Sequence, residues 1–188
     1  GTQCFDLGCA LGAATLAMQK NVAAPGCRVV AVDNAPAMIE RCRALVEAGA
    51  DPRGPEVAVV EDDVRSVEIA GASMVVMNYT LQFLPVEERA GMLKKIGDGL
   101  VPGGVFVLSE KVVDRDDDVE RLLVELHHGF KRRNAYSDLE ISRKRAALEN
   151  VLVPETVQTH RERLAAAGFR HSGTWLRYFN FVSIVAIR

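Results

Sequence analysis

Strand signals and helix signals alternate along this chain, and this alternation constrains the fold more than any other feature. Apolar, β-branched runs typical of buried strands are separated by runs with helical patterning. Such alternation predicts a mostly parallel sheet with helices on both faces, closed by a terminal antiparallel hairpin. The predicted strands cover residues 3–7, 28–32, 56–60, 73–77, 105–109, 172–178 and 181–187, and the predicted helices cover residues 12–20, 36–48 and 86–100.

Composition limits the class of protein. A chain of 188 residues with 48% apolar and 26% charged residues is typical of one soluble α/β domain. A net charge of −2 indicates no broad basic surface for nucleic acid, and no apolar run approaches the ~20 residues of a membrane span. The cysteines lack C-x-x-C spacing, so we expect reduced thiols in a cytoplasmic protein and no metal site; they are Cys4, Cys9, Cys27 and Cys42.

A glycine-containing turn follows the first predicted strand, in Asp-Leu-Gly-Cys-Ala-Leu-Gly (6–12). Gly8 and Gly12 lack Cβ atoms, so the backbone there can turn tightly and approach a ligand, and helix amides follow. Ala10 stands where a dinucleotide fingerprint has its second glycine, which argues against a pyrophosphate. A tight turn needed only for packing remains an alternative for this motif taken alone.

The second predicted strand ends in an acidic residue. Asp33 follows Gly8 by 25 positions, a spacing at which a carboxylate accepts hydrogen bonds from both ribose hydroxyls of a bound nucleoside. Alone, Asp33 would also suit the cap of the next helix. Asn34 lies beside it and is predicted to face the nucleoside too. The pairing of this acid with the glycine turn favours a ligand that contains ribose.

Polar residues also end the third and fourth predicted strands. Asp62-Asp63-Val64 follows the third strand, and we favour Asp63 as acceptor for an adenine amino group because Val64 can pack on the base; a simple loop acid is the alternative. Asn78 ends the fourth strand, and its amide both donates and accepts hydrogen bonds. These residues together predict an adenosine cofactor without a pyrophosphate.

The highly charged segment 114–150 breaks the alternation. It is too long for an ordinary connection between a strand and a helix and has helical patterning. One interpretation is a solvated helical hairpin, and the other is a cap over the ligand cleft. Two histidines lie outside this segment, His160 and His171, and we expect them to be ordinary surface or core residues.

These features resemble the Rossmann-like class I S-adenosylmethionine-dependent methyltransferase fold. Within it, several stretches resemble the carboxy-S-adenosylmethionine synthase family, over essentially the whole chain: DLGCALGAATL (6–16), AVDNAPAMIERCR (31–43), NYTLQFL (78–84), LSEK (108–111), HHGFKR (127–132), YSDLEISRKR (136–145) and LENVL (148–152). The resemblance implies a seven-stranded, mostly parallel sheet with an antiparallel last strand. It also implies one domain over residues 1–188, a helical cap insertion at about 114–150, and a further segment upstream of residue 1.

The resemblance implies a specific reaction. S-adenosylmethionine and prephenate would yield carboxy-S-adenosylmethionine and phenylpyruvate, and the product would serve carboxymethylation of a tRNA wobble uridine. Arg145 would bind the new carboxylate; its alternative is a solvated helix face. The family also implies a homodimer, while the mild negative charge argues against direct contact with tRNA. The residues implied to contact the cofactor are Gly8, Cys9, Ala10, Asp33, Asn34, Asp63, Val64 and Asn78.

Two other functions remain open from the sequence. One is an ordinary methyltransferase with a small-molecule or tRNA acceptor, and the other is a module that binds S-adenosylmethionine without turnover.

For the prephenate pocket, the cap offers donors for two carboxylates. Adjacent histidines on a helix point about 100° apart, so both cannot face one ligand. The candidate donors are His127, His128, Lys131, Arg132 and Tyr136.

Overall fold

The computed structural model describes residues 1–148 and 151–188, without the side chain of Arg145. It contains strands and helices in the alternating order that the sequence predicts. The strands are β1 (Gln3–Leu7), β2 (Arg28–Asp33), β3 (Glu56–Glu61), β4 (Ala72–Asn78), β5 (Leu100–Lys111), β6 (His171–Tyr178) and β7 (Phe181–Ile187). The helices are α1 (Ala13–Asn21), α2 (Pro36–Ala48), α3 (Val86–Gly99), α4 (Asp117–Arg133), α5 (Asp138–Leu148) and α6 (Val157–Ala166), and residues 81–83 form a single 3-10 turn.

The seven strands form one sheet in the order β3-β2-β1-β4-β5-β7-β6. Strands β1 to β5 pair in parallel, whereas β7 is antiparallel to both β5 and β6. The predicted seven-stranded α/β fold with an antiparallel last strand is therefore confirmed. Because the chain runs outward from β1 in both directions, the carboxyl ends of β1, β2 and β4 meet at a switch point, where open α/β sheets bind ligands.

The start of β5 differs from the prediction. The sequence predicts that α3 continues to residue 100 and that the strand begins at 105, whereas α3 ends at Gly99 and β5 begins at Leu100. Gly103 has a φ of 78°, and the register with β4 shifts across this stretch. The carboxyl terminus of the chain pairs here, because the N–H of Gly103 donates to the carbonyl of Arg188. This long-range pairing extends the strand through Pro102-Gly103-Gly104, which local sequence marks as a break.

Both faces of the sheet are covered by helices, as the uninterrupted apolar strands predict. On one face, Phe5, Leu7 and Val30 pack in a core with Leu93 and Ile96 of α3. On the other face, alternate residues of the same strands pack against α1 and α2, including Met18 and Ile39. This two-sided burial holds the central strands, and therefore the ligand edge, in fixed register.

The charged segment after β5 forms helices α4 and α5. The Asp116 side chain caps α4 by accepting hydrogen bonds from the N–H groups of Asp118 and Val119. No residue of α4 is fully buried, and the helix contacts Phe179 in the turn between β6 and β7 through His127 and Phe130. Since β7 begins beside the end of β5, α4 lies at the edge of the sheet where the parallel strands end. This is the edge that a cap would cover.

The four cysteines are buried thiols, and the Sγ atoms of Cys4 and Cys27 lie 3.6 Å apart. Within residues 1–148 and 151–188, no cluster of three or more histidine, cysteine or acidic side chains is arranged to hold a metal ion. In the same part of the chain, no helix combines the length and the apolarity needed to cross a membrane.

Candidate cofactor site at the ends of β1, β2 and β4

The turn after β1 is built on left-handed backbone. Gly8 and Gly12 have φ values of 79° and 84°, and Ala10 has 46°. Such values favour glycine, which explains the two glycines. A Cβ atom on Gly8 would overlap the side chain of Thr80, which follows β4. Gly8 thus allows the segment after β4 to lie directly against the turn.

A buried carboxylate anchors this turn to the first helix. Oδ2 of Asp6 accepts hydrogen bonds from the N–H of Thr15 (2.9 Å) and from its Oγ1 (2.6 Å). Burial raises the pKa of Asp6, and the bonds from Thr15 act in the opposite direction. Sequence reasoning recognised Asp6 only as part of the motif. The structure shows that it fixes the angle at which α1 leaves the turn.

Asp33 reaches the glycine turn from the neighbouring strand. Its Oδ2 accepts a hydrogen bond of 2.9 Å from the N–H of Ala10, and its Oδ1 accepts one of 2.9 Å from the N–H of Ala35. A carboxylate oxygen accepts more than one hydrogen bond, so both oxygens retain capacity for ribose hydroxyls. Asn34 is exposed beside it. The structure therefore brings Ala10, Asp33 and Asn34 together at one edge.

Cys9 lies in the same turn, where its N–H donates to the carbonyl of Val32 at 3.0 Å. Its side chain is buried in a cluster with Ile39 and Cys42 of α2. Burial raises the pKa of the Cys9 thiol, with nearby groups adding to the effect. The side chain is therefore a neutral packing group. Because the Cys9 N–H is engaged and its carbonyl accepts from the N–H of Gly12 at 2.7 Å, the remaining lone pair of that carbonyl is what Cys9 offers a ligand.

The loop after β3 adjoins this edge, because the N–H of Asp62 donates to the carbonyl of Asp33 at 3.1 Å. Asp63 binds Arg65 through both oxygens, at 2.9 Å from Nε and 2.6 Å from Nη2. These hydrogen bonds hold the pKa of Asp63 at about 2. Arg65, which sequence reasoning missed, thus shares the acceptor predicted for adenine. Val64 is 7% exposed and packs in the core, which leaves little of its surface for a base.

Asn78 ends β4 opposite Ser109 of β5, at the predicted edge. The next residue, Tyr79, has a φ of 55° and is half exposed, with its N–H held by the carbonyl of Ser109 at 2.7 Å. Its ring packs edge-on against Phe181 of β7, 5.8 Å away. Tyr79 was missed by sequence reasoning, since its orientation depends on a strand about a hundred residues later.

Glu110 of β5 is hydrogen-bonded to the segment that follows β4. Its Oε1 accepts a hydrogen bond of 3.1 Å from the N–H of Leu81, while its Oε2 has no partner among the described residues. Burial raises the pKa of Glu110 to about 8, although the backbone bonds and Arg89 oppose the shift. The structure thus places a buried, largely neutral carboxyl group beside the candidate site, and no sequence motif predicted it.

The residues predicted for a cap lie on or beside α4 and α5, and the structure describes some of their side chains more fully than others. Arg145 belongs to α5, but its side chain lies outside the described part of the structure, so its predicted role stays a prediction. Arg132 is paired with Asp138 at 2.7 Å, and Tyr136 is half exposed. The ring of His127 contacts Phe181 at 5.0 Å and lies 6.2 Å from the ring of His128. Burial and nearby cations lower the pKa of His127 to about 4, so its imidazole is neutral.

The two other histidines differ. His160 of α6 is fully buried, and burial lowers its pKa to about 4. His171 is exposed at the start of β6. Neither residue lies among the candidate cofactor residues at the ends of β1, β2 and β4.

The general class of this protein follows from its similarity to a methyltransferase domain family and to solved structures. The methyltransferase domain family matches residues 5–104, which hold the glycine turn, Asp33, Asp63 and Asn78. Magnesium protoporphyrin IX methyltransferase from Synechocystis, solved with bound S-adenosylmethionine, superposes with a TM-score of 0.63 at 16% identity, covering 100% of this chain and 70% of that one. This chain spans about half the length of several other methyltransferases of known structure. The fold is therefore that of S-adenosylmethionine-dependent methyltransferases.

The family within that class follows from closer relatives. The carboxy-S-adenosyl-L-methionine synthase of Erwinia tasmaniensis is 54% identical over 188 residues, which are 100% of this chain and 75% of that protein. The protein of the same name from Citrifermentans bemidjiense is 51% identical over 188 residues, 100% of this chain and 77% of that protein. The chain belongs to the carboxy-S-adenosyl-L-methionine synthase family, a family of enzymes.

Proposed function

We propose that this protein converts S-adenosylmethionine and prephenate into carboxy-S-adenosylmethionine and phenylpyruvate. Gly8, Cys9 and Ala10 would bind the cofactor through their backbone, and Asp33 would bind its ribose. Asn34, Asp63, Val64 and Asn78 would complete the nucleoside site. Arg145 would bind the transferred carboxylate from the cap.

One observation carries this proposal: the extent of the two matches differs. The general methyltransferase domain accounts for residues 5–104, whereas the synthases match all 188 residues, including α4 and α5. The cofactor fold is thus shared with many methyltransferases, and the cap is shared with the synthases. Because α4 lies at the edge where β5 ends, we expect this segment to select the second substrate.

The proposed reaction balances without a metal or a redox cofactor. A proton leaves the sulfonium methyl group, and the ring hydroxyl that prephenate expels as it aromatises takes this proton and departs as water. The carboxyl carbon that prephenate releases becomes bonded to the methyl carbon. The protein must therefore hold two reactants in contact and exclude water, and such positioning accounts for up to about 7–11 kcal/mol in well-oriented reactions. Arginine suits the carboxylate because its planar guanidinium binds both oxygens.

The wider role is part of the proposal. The product would supply the carboxymethyl group for a tRNA wobble uridine through a partner enzyme in the cytoplasm. The net charge of −2 supports a protein that does not itself bind tRNA. A homodimer is proposed on the family resemblance alone.

Mass spectrometry of the nucleotide product tests the reaction. Incubation with S-adenosylmethionine and prephenate is expected to give a product heavier than the cofactor by one carbon dioxide, and only when prephenate is present. Formation of S-adenosylhomocysteine without any dependence on prephenate would show an ordinary methyltransferase instead. Binding of the cofactor without any product would show a binding module.

A further inference from the structure

Three lysines from separate elements converge beside the cofactor edge. Lys111 is the last residue of β5, and it pairs across the sheet with Phe181. The Phe181 ring packs against His127 of α4 at 5.0 Å, and Lys131 lies one helical turn after His127 on the same face. Lys144 lies on α5, which packs against α4. The topology thus directs three cations toward one region.

The electrostatics of His127 and Lys131 agree with this convergence. The positive charges of Lys131, Lys111 and Lys144 all add to the burial that lowers the pKa of His127 to about 4. Burial lowers the pKa of Lys131, and the charges of Lys144 and Lys111 lower it further. Lys111 and Lys144 therefore lie close enough for their charges to act on both His127 and Lys131.

These lysines have no acidic partner in the described residues. The salt bridges within residues 1–148 and 151–188 do not include Lys111, Lys131 or Lys144, whereas Lys94 of α3 pairs with Asp98 at 2.8 Å. Three like charges brought together without a counterion cost free energy in the unliganded protein. A bound anion would offset that cost, so the arrangement favours an anionic ligand.

Aromatic rings adjoin the three cations. Tyr79 packs on Phe181 at 5.8 Å, and the His127 ring lies 5.9 Å from Phe179. Tyr79 directly follows Asn78, so these rings extend from the cofactor edge to the cap. A ligand with carboxylates and an unsaturated ring matches both the charges and this surface.

We propose that Lys111 and Lys131, with the charge of Lys144 nearby, form the carboxylate-binding site of the second substrate, a dicarboxylate that carries a ring. This proposal rests on the proposed function, since prephenate is such a dicarboxylate. The methionine carboxylate of the cofactor is the alternative anion that lysines could bind. The lysines hold the substrate and leave the cofactor to the β1 turn, so the two anions respond differently when the lysines are replaced.

Binding titrations on the purified protein separate these two anions. Prephenate is titrated into protein saturated with S-adenosylhomocysteine, and S-adenosylhomocysteine is titrated alone. Lys111→Met and Lys131→Met are each expected to weaken prephenate binding about tenfold or more, because each removes a charge-assisted bond. Lys144→Met is expected to weaken it about two- to threefold, because it removes only a nearby charge. The affinity for S-adenosylhomocysteine should change less than about twofold. Lys131→Arg should retain most of the prephenate affinity, and Lys94→Met should match the wild type.

Two outcomes would overturn the site. Equal weakening of both ligands would assign the lysines to the cofactor carboxylate, and unchanged prephenate binding in all three variants would remove them from any site. A thermal melt guards against misfolding: without ligand, Lys131→Met should melt no lower than the wild type, because it relieves repulsion. Product assays test the proposed reaction independently of the lysine site. Wild-type protein that binds prephenate through the lysines yet forms no carboxylated product would refute the reaction and leave the site intact.

Discussion

Asp33 and Ala10, 23 residues apart in the chain, are joined by a hydrogen bond of 2.9 Å from the Ala10 N–H to Oδ2 of Asp33. The bond crosses from the end of β2 to the turn after β1. It fixes the acid that would bind ribose relative to the backbone that would bind the rest of the cofactor. Both halves of the candidate site are therefore set before any ligand arrives.

Asp33→Asn tests this link. The amide retains one oxygen but loses the charge and the second acceptor, so we expect the affinity for S-adenosylhomocysteine to fall about 10- to 100-fold, measured by calorimetry. Asp51→Asn is the matched control, because Asp51 also accepts a hydrogen bond from the backbone two residues later, at Arg53, but lies on an exposed loop. Equal affinities for the Asp33 variant and the wild type would refute the role of Asp33.

Gly8→Ala tests the close contact between the glycine turn and the segment after β4. The new Cβ would overlap Thr80 and would sit on left-handed backbone. Gly71→Ala is the control, since Gly71 has a φ of 60° but nothing within 4 Å of the added Cβ. Backbone strain should cost both variants about 1–2 kcal/mol of unfolding free energy.

The overlap with Thr80 should cost Gly8→Ala about 1–3 kcal/mol more than Gly71→Ala in denaturant unfolding. Only the Gly8 variant should lose affinity for S-adenosylhomocysteine. If the two variants are equally stable and both bind normally, the contact between Gly8 and Thr80 does not shape the site.

Glu110→Gln tests the buried acid. Burial raises the pKa of Glu110 to about 8 from 4.5, so the folded state holds a proton that the unfolded state releases between these values. The stabilising contribution is complete below about pH 4.5 and is lost as the pH rises toward 8. The glutamine variant should lack this loss, so that its melting temperature exceeds that of the wild type increasingly from pH 5 to pH 8.

The control for Glu110 is Glu87→Gln, an exposed carboxyl in the first turn of α3. His127 and His160 contribute with the opposite sign, because their pKa values are lowered to about 4 and stability is lost as the pH falls below 6.5. The difference between the wild type and Glu110→Gln isolates the glutamate. A difference that does not change with pH would contradict the raised pKa.

Arg89→Met tests how the segment between α5 and α6 is attached to α3. The Arg89 side chain is fully buried and donates to the carbonyls of Gln82 and Val153, at 2.9 Å each, and to Oε2 of Glu155 at 2.6 Å. Its removal leaves buried acceptors unpaired, so the free energy of unfolding should fall by about 3 kcal/mol. Arg53→Met, which removes an exposed ion pair, should change it by less than about 0.5 kcal/mol. A similar effect of both would refute this anchoring role.

Arg145→Ala tests the role that the family resemblance assigns to this residue. We expect the variant to lose retention of the carboxylated product while its affinity for S-adenosylmethionine stays nearly unchanged. Native mass spectrometry of the co-purified nucleotide, with calorimetry, measures both. Arg143→Ala is the neighbouring control, as Arg143 is exposed on the same helix. Equal loss of the two ligands would show that Arg145 supports the fold.

The sheet edge at which the candidate cofactor residues lie could be predicted from strand order alone, and their contacts with a cofactor stay a prediction. Gly8, Asp33 and Asn78 each end a strand or follow one, and parallel strands bring those ends to one edge. The partners that side chains choose locally could not be predicted from the sequence. Asp63 was assigned to adenine on its neighbour Val64, whereas the structure engages both of its oxygens with Arg65 and packs Val64 in the core.

The sequence by itself determined the α/β architecture, because apolar periodicity and turn residues act over short distances. It also determined the edge at which the candidate cofactor site lies, since that edge follows from strand direction. Only the tertiary structure decided the environment of Glu110 and the convergence of Lys111, Lys131 and Lys144. Burial and charge repulsion depend on which distant segments pack together, and no local pattern encodes those distances.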